Sequence, residues 1–177
     1  MCGCLLLCRS SVVSPLDSSR VSFSYLLHED YSMVQTATIH GIGVSMTKDG
    51  DEVPVVLLDA GDQVLPISIT PDQAQSIRLA LNGEPFDRPL THDLLVDMVT
   101  EFGAAIDNVR IDDLAGGTFY AKIETEQYRD GERRTRTFDA RPSDGIAVAL
   151  RVDCQIELED SVIEDAGRPR SSYEGSF

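Results

Sequence analysis

The sequence predicts an α+β domain, in which a mixed, mostly antiparallel sheet carries about three to four helices. Two observations support this fold class. Segments with strand-like alternation are joined by turn sequences such as KDGDE (48–52) and RDGE (129–132), as in hairpins. Single amphipathic helix patterns separate the groups of strands, as expected when helices pack on one sheet. The 177 residues can bury one hydrophobic core.

The first half of the body predicts three strands followed by a helix. The strands cover residues 34–46, 53–60 and 63–69. Thr70 then stands where a helix N-cap is expected, with Pro71 at the first helical position. Gly83 ends this helix, because glycine readily adopts the left-handed conformation of a C-terminal cap.

The second half begins with one more helix. Thr91 is predicted to cap that helix, which ends at Gly103. The remaining elements are strands at about 105–113, 117–127 and 133–140, a helix at about 142–151, a strand at 155–159 and a short helix at 160–166. The segments ITPDQAQSIRLAL (69–81) and ARPSDGIAVALRV (140–152) share a layout of strand end, proline, aspartate and apolar helix. Duplication of a strand–helix unit and shared capping chemistry explain this about equally well.

The composition is strongly acidic, with 30 Asp and Glu against 15 Lys and Arg and a net charge of −15. We interpret the excess as adaptation to a salt-rich cytoplasm, where screening relieves self-repulsion; an ordinary acidic protein is the alternative. A broad basic surface for nucleic acid is excluded, so such binding needs a local patch. No apolar run approaches the ~20 residues of a membrane span.

Three regions are distinguished along the chain. Residues 1–32 are Ser-rich, lack periodicity and contain Cys2, Cys4 and Cys8, so we interpret them as a disordered extension or an incorrectly assigned start before Met33. Residues 33–167 form the predicted domain. Residues 168–177 are expected to be a flexible tail. The absence of a framework of paired cysteines in the body favours a cytoplasmic protein.

The stretch TFDARPSD (137–144) places several polar side chains at a strand-to-helix junction. Pro142, Ser143 and Asp144 suit the first turn of a helix, where oxygens accept free N–H groups. Capping leaves Asp139 and Arg141 unexplained. These two alternate along the incoming strand, so we expect them on one face. They form either a salt-bridge brace or a site in which Arg141 holds phosphate and carboxylates hold a divalent ion.

A second polar cluster lies in RPLTHDLL (88–95), at the start of the second helix. His92 and Asp93 occupy its first turn. A helix N-terminus disfavours the imidazolium form, so His92 is expected to be neutral and suited to general-base chemistry. Arg88 precedes Pro89 and can face the same cleft. Helix capping is the structural alternative for this cluster.

A third candidate is the arginine-rich hairpin strand RRTR (133–136). Arg134 and Arg136 share one face of the strand, and Arg133 lies on the other. Cross-strand pairing with Glu124 and Glu126 is the simpler explanation. The hairpin is nevertheless the best phosphate-backbone contact that the sequence offers.

These clusters together resemble the bifunctional nuclease domain family. RPLTHDLL, followed about fifty residues later by FDARPSDGIAVALR, carries the resemblance, as do LPISITPDQAQSIRLALNG and VRIDDLAGGTFYAKI, over about residues 34–166. The resemblance implies an α+β domain, homo-oligomers and nuclease activity on RNA and DNA. The matching positions are Arg88, Thr91, His92, Asp93, Asp139, Arg141, Ser143 and Asp144. Gly145 departs from the family, which more often has alanine there, and we expect it to loosen the helix start.

Two functions follow from these residues. In the first, a nuclease, His92, Asp93, Asp139 and Asp144 are catalytic, and Asp139 and Asp144 hold Mg²⁺ or Mn²⁺. Phosphate is then bound by Arg88, Arg141, Ser143, Arg134 and Arg136. In the second, the protein is a non-enzymatic oligomeric scaffold or small-anion-binding module, whose polar clusters are caps and braces. Carboxylates of Asp93, Asp139 and Asp144 within reach of one metal favour the first function.

Overall fold

The computed structural model describes residues 33–84 and 87–173, so the predictions for residues 1–32 lie outside the described part. The elements are β1 (Val34–Met46), β2 (Glu52–Ala60), β3 (Gln63–Ser68), α1 (Pro71–Asn82), α2 (Thr91–Glu101), β4 (Ala104–Ala115), β5 (Thr118–Arg129), β6 (Glu132–Ala140), α3 (Pro142–Val152), β7 (Gln155–Glu159), α4 (Asp160–Ala166) and β8 (Arg168–Pro169).

The described strands form a single sheet in the order β6-β5-β4-β7-β1-β2-β3-β8. Neighbours are antiparallel except β4 and β7, which run parallel. The predicted α+β class with a mixed, mostly antiparallel sheet is therefore confirmed. None of the helices in the described ranges is both long enough and apolar enough to cross a membrane.

The layout of the sheet repeats. β1, β2 and β3 form an antiparallel meander that leads into α1, and β4, β5 and β6 form another that leads into α3. The repeated unit is thus three strands and a helix, larger than the strand–helix unit suggested by the sequence. Strand β7 joins the two meanders, because it pairs with β1 on one side and β4 on the other.

The main core lies between this sheet and the helices α1, α3 and α4. Ile77 of α1 and Ile146 of α3 are fully buried, and they belong to one apolar cluster with Val109 and Ile111 of β4. Helices α1 and α3 pack against each other. This packing brings the N-terminal turn of α3 close to the first helix, and it fixes where the polar residues of both helices meet.

Helix α2 differs from the other helices because none of its residues is buried. Its large apolar side chains Leu94, Leu95 and Met98 are exposed, as is Phe102 directly after it. Leu90, not Thr91, is its N-cap, so the predicted cap was wrong by one residue. The reason is that the Asp93 carboxylate accepts the Leu90 N–H at 2.7 Å, which satisfies the helix start without the threonine hydroxyl.

Gly145 has a packing role that its helix propensity does not suggest. A Cβ added there would lie 2.7 Å from Cγ1 of Val109. The glycine is buried and lets α3 approach β4 closely, so its absent side chain tightens the helix–sheet contact. The expectation that Gly145 loosens the helix start stays a prediction, and the packing against Val109 is a second property of this residue.

The structure describes residues 168–173 of the predicted tail. There β8 pairs with β3, with Gln63 opposite Pro169. The Arg170 guanidinium donates to the Asp59 carboxylate at 2.8 Å. A short 3₁₀ turn follows at Arg170–Ser172.

Candidate functional site

Three helices bring polar side chains together at one end of the helical layer. Ser76 lies on α1, His92 in the first turn of α2, and Asp144 in the first turn of α3. Arg141 is the N-cap residue of α3. We name the residues Ser76, His92, Arg141 and Asp144 the polar cluster.

Both ring nitrogens of His92 are engaged. Nε2 lies 3.2 Å from Oδ1 of Asp144, and Nδ1 lies 3.0 Å from Oγ of Ser76. An ionised carboxylate only accepts hydrogen bonds, so the proton of a neutral ring belongs on Nε2. Nδ1 then accepts a hydrogen bond from the Ser76 hydroxyl. The arrangement assigns one tautomer to His92 and leaves Nδ1 as its basic atom.

Asp144 is held from two sides. Arg141 donates from Nε to Oδ2 at 2.7 Å and from Nη2 to Oδ1 at 3.0 Å, which is a bidentate pair. Burial alone would raise the pKa of the Asp144 carboxyl, but the hydrogen bonds from Arg141 and His92 outweigh it and lower that pKa below its ordinary value. Asp144 is therefore ionised at neutral pH. Its side chain forms this pair instead of the predicted cap on the helix N–H groups.

Asp93 belongs to a separate brace. Its carboxylate accepts hydrogen bonds from the Arg151 guanidinium and from the Leu90 N–H. Burial alone would raise the pKa of Asp93, but these bonds lower it. Arg151 is only 10% exposed and also donates to the Ala147 carbonyl at 2.7 Å and to Ser76 at 3.3 Å. Asp93 thus lines a different cavity from the polar cluster, and it ties α2 to the end of α3.

A cavity of about 590 Å³ opens beside the polar cluster. This volume lies within the usual range for small-molecule sites. Its lining is mixed. The apolar residues are Leu95, Val99, Ile106, Ile123 and Phe138, and the polar residues are Asp72, Gln73, Thr91, Thr125, Asp139 and the polar cluster. The cavity thus offers both charged groups and apolar surface to a ligand.

Asp139 lines the same cavity but is not joined to Asp144. In the sheet register it stands opposite Lys122, whereas its neighbour Phe138 stands opposite Ile123 of the core. Because side chains alternate, the Asp139 side chain lies on the Lys122 face, opposite to that of Phe138, although the residue itself borders the cavity at the end of β6. Arg141 lies beyond the end of β6 and turns to Asp144, so the two residues do not share a face as predicted.

The carboxylates do not assemble into one centre. Within residues 33–84 and 87–173, no group of three or more His, Cys, Asp or Glu side chains is placed to hold a metal ion. Asp93 is bound to Arg151, Asp144 to Arg141, and Asp139 faces the other side of the sheet. Of the predicted catalytic residues, His92 and Asp144 are brought into direct contact.

Of the five predicted phosphate ligands, only Arg141 belongs to the polar cluster. Arg88 is exposed in the segment before α2, and it makes no ion pair with the described part of the chain. Ser143 is buried and lines a neighbouring cavity of about 300 Å³ together with Arg141 and Pro142.

The arginine-rich strand is the edge strand β6, and its side chains divide between two faces. Arg133 donates to the Glu126 carboxylate across the strands at 2.6 Å, as the simpler explanation predicts. Arg134 contacts Glu132 at 3.4 Å, and both side chains are exposed. Arg136 forms no ion pair with any residue that the structure describes. Glu124 pairs instead with Arg110 at 3.4 Å.

Sequence reasoning missed Ser76 and Arg151. Ser76 lies next to Ile77 on the buried stripe of α1, where a small polar residue carries no distinctive signal. Arg151 stands in the last turn of α3, where a cation is explained by the helix dipole alone. Ser76 contacts His92 and Arg151 contacts Asp93 through tertiary packing, across 16 and 58 residues of sequence respectively.

Comparison with known proteins gives consistent matches. A family model described as the bifunctional nuclease domain matches residues 55–171. An uncharacterized protein of Mycobacterium tuberculosis (strain H37Rv) is 38% identical over 127 residues, which cover 71% of this chain and 73% of that protein. A protein named bifunctional nuclease 1, from Oryza sativa subsp. japonica, is 25% identical over 124 residues, 67% of this chain and 37% of the rice protein. The bifunctional nuclease of Oryza minuta matches to the same extent.

Proposed function

Because the chain belongs to the bifunctional nuclease domain family, we propose that it hydrolyses phosphodiester bonds of RNA, DNA or both. The observation that supports this most is the contact of His92, Asp144 and Arg141 at the wall of a cavity. A potential acid–base group, a carboxylate that orients it and a cation stand together there, as phosphodiester hydrolysis requires.

In this proposal His92 moves the proton. Its Nδ1 takes a proton from the attacking water as the water oxygen bonds to phosphorus and the bond from phosphorus to the leaving oxygen breaks. Asp144 stabilises the imidazolium that forms, and the imidazolium then gives the proton to the leaving oxygen. Because Nδ1 is hydrogen-bonded to the Ser76 hydroxyl, the attacking water must displace that hydroxyl before it can bind Nδ1. Ser76 therefore occupies the position that the nucleophilic water takes in this proposal. Asp93 has a positioning role in this account, because it holds the start of α2 against Arg151.

Arg141 is the proposed ligand of the scissile phosphate. Its side chain is 69% exposed, and a guanidinium has five N–H donors, of which Asp144 engages those on Nε and Nη2. The remaining donors can bind phosphate oxygens. Arg88, Arg134 and Arg136 are proposed to contact flanking phosphates, and Ser143 to support Arg141 from the neighbouring cavity.

The divalent ion predicted for Asp139 and Asp144 fits the described residues poorly. The two carboxylates lie on different faces of the sheet, and both oxygens of Asp144 are already engaged. Binding of Mg²⁺ or Mn²⁺ by these residues stays a prediction, and the proposed hydrolysis does not use the ion.

A second candidate function is a non-enzymatic oligomeric scaffold or a small-anion-binding module. A specific observation favours it: Asp93 and Asp144 are each satisfied by an arginine, as in structural braces. The exposed apolar side chains of α2 support homo-oligomer formation under either function. We also propose a cytoplasmic location, in keeping with the cysteine usage of the body.

The experiment is a cleavage assay of the full chain on RNA and on DNA in molar KCl. Parallel reactions contain Mg²⁺, Mn²⁺ or EDTA. We expect cleavage. Cleavage that continues in EDTA would show that the reaction does not need a divalent ion. Binding of inorganic phosphate without cleavage of either nucleic acid would contradict the nuclease and favour the anion-binding module.

A further inference from the structure

The edge strand β6 carries a continuous row of side chains that leads to the cavity. Arg134, Arg136 and Phe138 alternate along it and therefore share one face, about 7 Å apart. Their register partners Gln127, Thr125 and Ile123 include two residues of the cavity wall. The row thus runs on the helix side of the sheet and ends inside the cavity.

The electrostatics of this row contrast with the rest of the protein. The chain has a net charge of −15, which repels a polyanion. Arg136 has no carboxylate partner among the described residues, and Arg134 has one exposed contact to Glu132. Arg141, at the far side of Phe138, still has unused N–H donors. Cations therefore flank the aromatic ring on both sides along the chain.

The cavity beside Phe138 suits an uncharged planar group better than a phosphate. Phe138 is 52% exposed, and it lines the cavity together with Ile106 and Ile123. The carboxylates of Asp72 and Asp144 also line the cavity and disfavour phosphate oxygens in its interior. A nucleobase is a flat, largely apolar group that is joined to phosphates on both sides, and bases stack on exposed aromatic rings.

We infer that this cavity receives one unpaired nucleobase, stacked on Phe138, while the flanking phosphates lie on Arg136 and Arg141. The inference rests on the proposed function in taking nucleic acid as the ligand. A base in a duplex is stacked and paired, and entering such a pocket costs the energy of extruding it. The protein therefore selects single-stranded nucleic acid, and the selection arises at Phe138.

The test is equilibrium binding of the full chain to three end-labelled DNA probes, followed by fluorescence anisotropy. The probes are a short single strand, the same strand without its bases, and the same strand as a duplex. All have phosphorothioate backbones, so that hydrolysis does not consume them. Each is titrated at several KCl concentrations. We expect the single strand with bases to bind more tightly than both other probes.

Three variants separate the contributions. Phe138→Ala is expected to weaken binding of the single strand about 10-fold at every salt concentration, because stacking is not screened. Arg136→Gln is expected to reduce the slope of log affinity against log salt by about 1, because a phosphate contact is lost. Tyr128→Ala is the matched control: Tyr128 is 68% exposed, but it lies on the opposite face of β5 and should have no effect.

The outcomes distinguish this inference from the proposed hydrolysis. If Phe138→Ala binds all probes as the parent does, or if the duplex and the base-free strand bind equally well, the base pocket is wrong even where cleavage is observed. If single-strand binding depends on Phe138 and cleavage is absent, the pocket stands and the hydrolysis is wrong. Absence of binding to every probe contradicts both.

Discussion

Replacing Gly145 by alanine tests how tightly α3 is seated on the sheet. Alanine in a helix interior is favoured over glycine by about 1 kcal/mol. The added Cβ would lie 2.7 Å from Cγ1 of Val109, well inside the about 3.5–4.0 Å of a favourable carbon contact. Val109 is fully buried and β-branched, so it cannot rotate away cheaply. Overpacking of this kind costs about 1–3 kcal/mol, and we expect Gly145→Ala to destabilise the protein by about 1 kcal/mol net.

A double-mutant cycle with Val109→Ala tests whether the contact between residues 145 and 109 causes this loss of stability. Val109→Ala alone should cost roughly 2 kcal/mol through the cavity that it creates. In that background Gly145→Ala should become stabilising by about 1 kcal/mol, because the overlap is gone, so the two changes couple by about 2 kcal/mol. The free energy of unfolding is measured by urea denaturation at constant KCl. The close contact would be refuted if the two changes in the free energy of unfolding were additive, or if Gly145→Ala alone stabilised the wild-type protein.

Three further predictions concern the charge and the helices. The melting temperature should rise between low salt and molar KCl, because screening relieves the self-repulsion of a net charge of −15; no rise would end the interpretation as salt adaptation. Asp93→Ala should destabilise the protein by about 2 kcal/mol, because it removes the charged hydrogen bond to Arg151, whose side chain is 10% exposed; urea denaturation measures this, and a loss as small as that of an exposed Asp49→Ala control would contradict the brace. The proposed homo-oligomer should dissociate into monomers in sedimentation experiments on the combined Leu94→Glu and Met98→Glu variant, because burying charge at the α2 face is costly; a parent that sediments as an oligomer and a variant that sediments identically would exclude that face.

Much of the fold follows from local pattern. Proline at the first helical position marks the start of both α1 and α3, and a glycine cap marks the end of α1. Thr70 and Pro71 stand where they were predicted. The strand order could not be predicted, since it requires β7 to insert in parallel beside β4 while it pairs with β1. That arrangement depends on long-range packing, which leaves no periodic signal in the sequence.

The candidate site was predictable by residue type but not by geometry. His92 and Asp144 were identified from their positions in two first helical turns, and the structure joins them. The alternation rule placed Asp139 and Arg141 together, but it failed because the strand ends at Ala140 and Arg141 turns into the helix cap. Ser76 was missed because its partner is 16 residues away on another helix.

The central claim is that His92, oriented by Asp144, performs phosphodiester hydrolysis. The most direct test compares the cleavage rates of His92→Ala and His40→Ala on single-stranded substrate, with folding verified for both. His40 of β1 is a matched control, because it is also a histidine in contact with an aspartate: its Nδ1 lies 3.0 Å from the Asp59 carboxylate. It is distant in sequence from His92. We predict a loss of about 100-fold or more for His92→Ala, as expected for removal of a general acid–base group, and near parental activity for His40→Ala. Equal rates for the two folded variants would contradict the claim and place any activity elsewhere.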